Sequence, residues 1–384
     1  MVRYFKIMTR HFLNLRATQF RATQYCVSAG IAVILRLAAA FLLVLGGMAA
    51  AAPADEFGGL FRKLADVPLG EKTSRFDYES IDPMSGRLAV AKMGSGKLLV
   101  FDARDQKLVA ELDGFPKATG VLMVPELRKI YVSVPGAGVG ASLSVALGVA
   151  GLSKGSGAIS ILDIASLKEI ARLPGGVFPD GIAYAPRERR VFVSDEMGGA
   201  LTVIDADSDK LVGHIDTKGE VGNVQYDPIT RRIYVPVQSR NELAVIDPVR
   251  LAVVARYRLP GARHPHGLRI AQGAAIGYVA CDENDRLLVV DLASGKVTGD
   301  LPLGHDPDVL AADDGLKRLY VASESGMLSV FDVADPAKPK KLGDVMVAPN
   351  AHSVAADPLT HHLFLPLKDL NGKAAMRVLA PVAN

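Results

Sequence analysis

A hydrophobic strand ending in aspartate recurs along this chain: LLVFD at Asp102, ISILD at Asp163, LTVID at Asp205, LAVID at Asp247, LLVVD at Asp291 and LSVFD at Asp332. The intervals between these aspartates are 61, 42, 42, 44 and 41 residues, the period of a propeller blade. A last, degenerate copy (MRVLA) ends at Ala380. Such a unit cannot bury its apolar faces alone, so its neighbours must complete the core. With residues 178–220 as reference, FPDGIAYAP, RRVFVSDE, ALTVID and DKLVGHID read as four successive strands. Alternation in VFVSD and LTVID predicts half-buried strands. The aspartate closing each third strand predicts a turn in which its carboxylate accepts backbone N–H bonds.

Blades begin near Arg75, Lys117, Phe178, Val221, His264, Asp306 and Asn350. The last unit stops after its third strand, and FRKLADVPL (residues 61–69) reads like the fourth strands KEIARLPG and KVTGDLPLG. The expected fold is all-β: a seven-bladed β-propeller of four-stranded antiparallel blades, the ring closed by an N-terminal strand joining the last blade. Closure of this kind removes the exposed sheet edge that invites aggregation.

Residues 1–54 read as an export leader. Arg3, Lys6, Arg10, Arg16, Arg21 and Arg36 carry all its charge, and an apolar run, residues 37–48, leads into AAAAPA with small residues at Ala52 and Ala54. A retained membrane helix over residues 29–52 is the competing reading, interrupted by Arg36. Removing six basic and no acidic residues leaves 38 basic against 41 acidic, a slightly acidic domain over 55–384. That balance disfavours nucleic acid as partner. Cys26 leaves with the leader, so Cys281 is the only cysteine of the propeller and no internal disulfide can form.

The second strands IYVSV, VFVSD, IYVPV, GYVAC and LYVAS resemble the Tyr-Val-Thr-Asn motif of YVTN-type β-propeller repeat proteins, including the exported YncE-like group. The resemblance covers residues 60–381. It implies the fold but not a chemistry, because propellers host binding and catalysis alike. No Trp occurs, which excludes the WD40 signature and the tryptophan docking motif of quinoprotein dehydrogenases.

In a four-stranded blade the innermost strand starts, and the second strand ends, on the same face of the disc. Aligned first strands put Asp77, Thr119, Asp180, Gly222, His266, Asp308 and His352 at one equivalent position, a ring around one mouth of the central channel. His264, His305, Asp306 and Asn350 flank it. Second-strand ends add Asp195, Glu196, Asp282, Glu283, Asn284, Glu324 and Asp369. Imidazole and carboxylate converging there suit one divalent metal ion, held by Asp180, His266, Asp308 and His352. They equally suit general acid–base work by His266 or His352. Asp77, Asp180, His264, His305, Asp282, Glu283 and Glu324 are the ligand-binding candidates. The plainer account is that PDG, PHG and DPD are turn sequences whose polar side chains satisfy backbone N–H groups.

His361 and His362 fall in a turn on the opposite face and read as surface residues. Cys281 matches Ser194 and Ser323 in other blades and reads as a small, half-buried residue. Blade two alone carries an insertion, residues 135–157, rich in Gly, Ala, Ser and Leu. It projects from the mouth face, as either a short apolar helix acting as lid or contact loop, or a mobile linker.

These readings converge on an exported, periplasmic or secreted binding or scaffold module, expected to be monomeric, taking a small molecule or a protein on its mouth face. The second reading is a metal-dependent lyase or hydrolase similar to the streptogramin B lyases and propeller lactonases. There His266 or His352 acts as base while Asp308 and Asp180 hold the metal. The lactonase pattern wants Glu and Asn at ring positions where this chain has Asp and His.

Overall fold

The computed structural model describes residues 56–136, 138–151 and 153–382. The leader read at residues 1–54 lies outside the described residues. Seven four-stranded antiparallel sheets are present, six of them with strands in chain order. First strands of successive blades touch around the ring, so they line the axis. The seventh sheet takes Ala355–Ala356, Leu363–Leu370 and Lys373–Pro381 from the C-terminal region and Phe61–Glu71 from the N-terminal one. Phe61 pairs with Pro381, Val67 with Met376 and Glu71 with Lys373. Arg377 grips the closing strand: its Nε lies 2.8 Å from Asp66 Oδ1 and its Nη2 2.8 Å from Oδ2, while Nη1 donates to Val347 O of blade six. This bidentate fork is the strong form of a charged pair.

The expected half-burial is wrong for the middle of each blade. In Arg190–Asp195 and five of its counterparts every position after the first is buried, on both faces, and in Leu363–Leu370 the first five positions are. Blades stack face to face around the ring, so a neighbour covers each side of the second and third strands. Alternation survives only in the outermost strands, such as Lys107–Asp113 and Lys296–Pro302, where one face meets water. The tyrosine of the repeat motif has a role in this stacking. Tyr278 Oη donates to Pro336 O of the next blade at 2.9 Å, and Tyr234 Oη reaches Leu292 O of the next blade at 3.4 Å. In these two the aromatic body fills the inter-blade layer while its hydroxyl ties down the neighbour's turn, whereas the buried hydroxyls of Tyr131 and Tyr320 have no partner.

The aspartate-led turns form as expected. Asp102 accepts from Arg104 N and Asp105 N, and Asp247 from Val249 N and Arg250 N. On that same face His361 is not a bare surface residue. Its Nδ1 lies 2.8 Å from Oδ2 of Asp313, a fully buried carboxylate of blade six. The insertion of blade two contains a helix, Gly138–Val149, as the first of the two expectations has it. Among the described residues no helix is long and apolar enough to cross a membrane.

Candidate functional site

The first strands crowd together at the axis, and glycine makes that possible. A Cβ on Gly120 would meet Asp180 O at 1.9 Å, and one on Gly267 would meet Asp308 O at 2.4 Å. Each of these glycines follows a ring residue and lets the next blade's ring backbone approach. The turns entering the ring are also unusual. Lys117, His264, Asp306 and Asn350, each two residues before a ring position, have φ of 57°, 55°, 59° and 63°. Left-handed backbone at non-glycine residues costs energy, and its repetition in four blades marks a built feature.

Asp308 is the hub. Its Oδ2 lies 2.9 Å from His352 Nδ1 and 3.3 Å from Arg75 Nη2, and its Oδ1 lies 3.3 Å from His266 Nε2. Arg75 reaches in from blade one and also binds Glu324, and its Nε stands 3.6 Å from Asp77. Asn350 donates to the second oxygen of Glu324. From His266 Nδ1 the chain of contacts runs 3.2 Å to Gln238 Oε1, and from Gln238 Nε2 3.3 Å to Glu196. Tyr78 of blade one hydrogen-bonds Asn223 of blade four and so spans the channel.

These contacts set the charge states. Burial alone would raise the Asp308 pKa, but hydrogen bonds from His266 and His352 override it and hold the carboxyl well below its usual range. Burial opposes the charge of His266, yet Asp308 raises its pKa to about 10, so it is an imidazolium at neutral pH and no general base. Arg75 is raised in turn, the carboxylates of Asp77, Glu324 and Asp308 outweighing its burial. Asp180 goes the other way. Burial pushes its pKa well above the ordinary value, and Glu196 and Asp77 add to the effect. Asp77 is raised by burial despite Arg75.

Two buried atoms at ring positions have no partner: Asp180 Oδ2 and His352 Nε2, on residues only 4% and 1% exposed. A buried polar atom without a hydrogen bond is costly, and in native proteins it calls for a water, an ion or a ligand. His352 meets Asp308 through Nδ1, which leaves Nε2 as its unpartnered ring atom.

The remaining candidates sit around this network. Asp282 is buried and held by His264, Nδ1 to Oδ1 2.9 Å, and His264 stands 3.8 Å from Glu220. Burial opposes the charge of His264, but Asp282 and Glu220 raise its pKa to about 9. His305 is 80% exposed at its side chain and pairs with Asp285, away from the ring. Glu283 is exposed. Thr119 Oγ1 donates to Pro179 O of the next blade, and Asp195 accepts from Val177 N and Phe178 N. Both are therefore structural. Asn284 bonds Gly261 O, and Asp369 bonds Gly372 N in its own turn. Cys281 is fully buried, and burial pushes its thiol up to about 12, so it is unreactive.

Among the described residues one group could bring three metal-ligand atoms close together, within 4.8 Å: Asp308, Glu324 and His352. It shares Asp308 and His352 with the expected set but not Asp180 or His266. Arg75 already sits among these groups as a cation, bonded to both carboxylates and 3.4 Å from His352 Nδ1. A metal ion there would have to displace it. A crevice between Leu60, Phe61, Arg318 and Val382 lies elsewhere and holds no acid–base pair.

Sequence reasoning overlooked Arg75, Tyr78, Gln238 and Asn223. Gln238 was within reach, because it follows its second strand just as Glu196, Asp282 and Glu324 follow theirs. Nothing local signals that Arg75 would cross over to blade six.

A family model described as YNCE-like beta-propeller matches residues 131–372. The chain belongs to that family. Its fold is also similar to solved structures. A chain of hydrazine synthase from Kuenenia stuttgartiensis superposes with a TM-score of 0.67 at 16% identity, over 82% of this chain and 97% of that one. A chain from a mitotic checkpoint complex gives 0.66 at 11% identity, over 97% of this chain and 100% of that one. Identities this low show the fold alone. No curated protein matches the chain in sequence.

Proposed function

We propose that this YncE-like propeller is an exported, periplasmic binding module that takes a small ligand at the channel mouth. The observation that carries the reading is the pair of unpartnered buried atoms, Asp180 Oδ2 and His352 Nε2, in one mouth of a ring. Their cost is unexplained by packing and is removed by a bound molecule that supplies the missing bonds. The ring of blades provides rigid elements on which such a site keeps its geometry. Export rests on the basic and apolar leader.

The test is a thermal-shift screen of the purified protein against small polar metabolites, repeated on His352→Ala and Asp180→Asn. A ligand that stabilises the wild type and loses its effect in either variant supports the reading. Hits insensitive to both variants, or none, overturn it. Fractionation of cells expressing the full chain tests export, which fails if the uncleaved protein stays in the cytoplasm.

A metal-dependent lyase or hydrolase is the second reading, favoured by the convergence of Asp308, Glu324 and His352. Stoichiometric metal in the purified protein, lost in Glu324→Gln, would establish it. The Arg75 guanidinium among the same groups argues against it.

A further inference from the structure

Turns from first to second strand, and from third to fourth, emerge together on the face opposite the mouth. Their tips hold exposed apolar side chains: Met84 in blade one, Ile229 and Val249 in blade four, Leu316 in blade six and Leu359 in blade seven. Exposure runs from 40% at Leu316 to 77% at Met84. An exposed basic residue stands beside four of these five. Arg104 donates to Met84 O at 2.6 Å, Arg231 comes two places after Ile229, Arg250 follows Val249, and Lys317 follows Leu316. Carboxylates of the same turns are withdrawn instead. Asp82, Asp227, Asp247, Asp313 and Asp357 are buried, and Asp227 and Asp247 accept backbone N–H groups. Exposed Lys and Arg therefore outnumber exposed Asp and Glu in these turns, although residues 55–384 are slightly acidic as a whole. The chain also enters the propeller here: Val382 N donates to Leu60 O at 2.9 Å, and Phe61 pairs with Pro381. An apolar run, residues 37–48, precedes that entry in the sequence.

We infer that this face docks on an anionic lipid bilayer, apolar tips entering the headgroup layer and basic side chains meeting phosphates. The inference is independent of the ligand reading at the mouth, which it leaves open to the aqueous phase. Single exposed apolar residues are ordinary. Five on the turn tips of one face, four of them beside a cation, make the composition of an interfacial anchor. Each basic group near an anionic surface adds a modest attraction, and the apolar tips add burial. The ring is rigid and carries tips in blades one and four, well apart around the disc, so weak contacts act together. Nucleic acid would use the same basic groups but would gain nothing from Met84, Val249 or Leu359 against its phosphates.

The chain has no Trp, so one introduced Trp reports on a single place. Val249→Trp and Leu359→Trp put the reporter on the docking face, and Met346→Trp puts it at the mouth-side end of an outer strand. Each purified full chain is mixed with vesicles of phosphatidylglycerol and phosphatidylcholine, or of phosphatidylcholine alone. Sedimentation and tryptophan emission are read. Anionic vesicles should bind the protein and blue-shift the emission of Val249→Trp and Leu359→Trp, leaving Met346→Trp unchanged. Added sodium chloride should weaken binding, and Arg231→Glu with Arg250→Glu should weaken it at least about tenfold. Should Val249→Trp fail to fold, Ile229→Trp carries the same readout. A leader that inserts by itself shifts only Leu359→Trp, in the blade where the chain enters, and leaves the double Glu variant bound like the wild type. That result overturns the inference. So does an absence of binding, equal binding to both kinds of vesicle, or a shift confined to Met346→Trp. Salt-sensitive binding to duplex DNA with none to vesicles overturns it as well and gives the basic turns to nucleic acid.

Discussion

Asp180 and Asp308 occupy the same ring position in blades three and six, in the near-identical contexts FPDG and DPDV. Their fates are opposite. Asp308 is held by two imidazoles and a guanidinium and stays ionised, whereas Asp180 has no bond to its Oδ2 and resists ionisation. Backbone position therefore does not set a carboxylate's role in this ring; the side chains delivered by other blades do. Asp282 lies outside the ring, a buried carboxylate paired with the imidazole of His264.

The largest effect should come from Asp308→Ala. It strands His266, His352 and Arg75 around an empty centre, and breaking a buried pair in this way costs about 3–5 kcal/mol. Urea unfolding measures it, and a loss below about 1 kcal/mol would show that Asp308 is no hub.

The pH profile probes the same bonds without mutation. His266, raised to about 10, and His264, raised to about 9, bind protons more tightly folded than unfolded. Their contribution is complete below the ordinary histidine value of 6.5 and is lost as pH climbs through 9 and 10. Wild-type stability should therefore fall across that window, and His266→Gln should flatten the slope. Asp308 acts in the acid range, its contribution present above 3.8 and lost as pH falls through its lowered pKa.

Asp180→Asn should do the reverse of Asp308→Ala. Removing an unpaired buried carboxylate is expected to raise stability at pH 7 by about 1–3 kcal/mol. A loss of similar size would mean that Asp180 is a structural residue and would erase the contrast. The smallest change is His264→Asn, which keeps a residue tolerant of positive φ but gives up the Asp282 pair. About 1 kcal/mol is expected from equilibrium unfolding, placing Asp282 between the two extremes.

Most of the fold was legible because repetition wrote it seven times: period, turn aspartates and the borrowed strand all follow from local patterns. Burial was misread where a neighbouring blade covers a second face, since alternation in VFVSD carries no information about what lies above the sheet. The site was legible only in part. Ring alignment finds Asp180, His266, Asp308 and His352. It cannot foresee that Arg75 skips blade seven to reach Glu324, or that Tyr78 meets Asn223 across the axis, because those contacts depend on channel width. Likewise His361, which sits in an ordinary turn, gains its meaning from Asp313 of the preceding blade.

The strand Phe61–Glu71 has a temporal consequence. It leaves the ribosome before any blade, yet its hydrogen-bonding mate, Lys373–Pro381, follows the six other blades in the chain. Until that mate is made it is an unmatched ribbon, and Asp66 has no Arg377 to hold it. Contacts so distant along a chain form slowly. Ring closure is thus the contact that must wait for the seventh blade, and until then the partly built sheet keeps an unpaired edge.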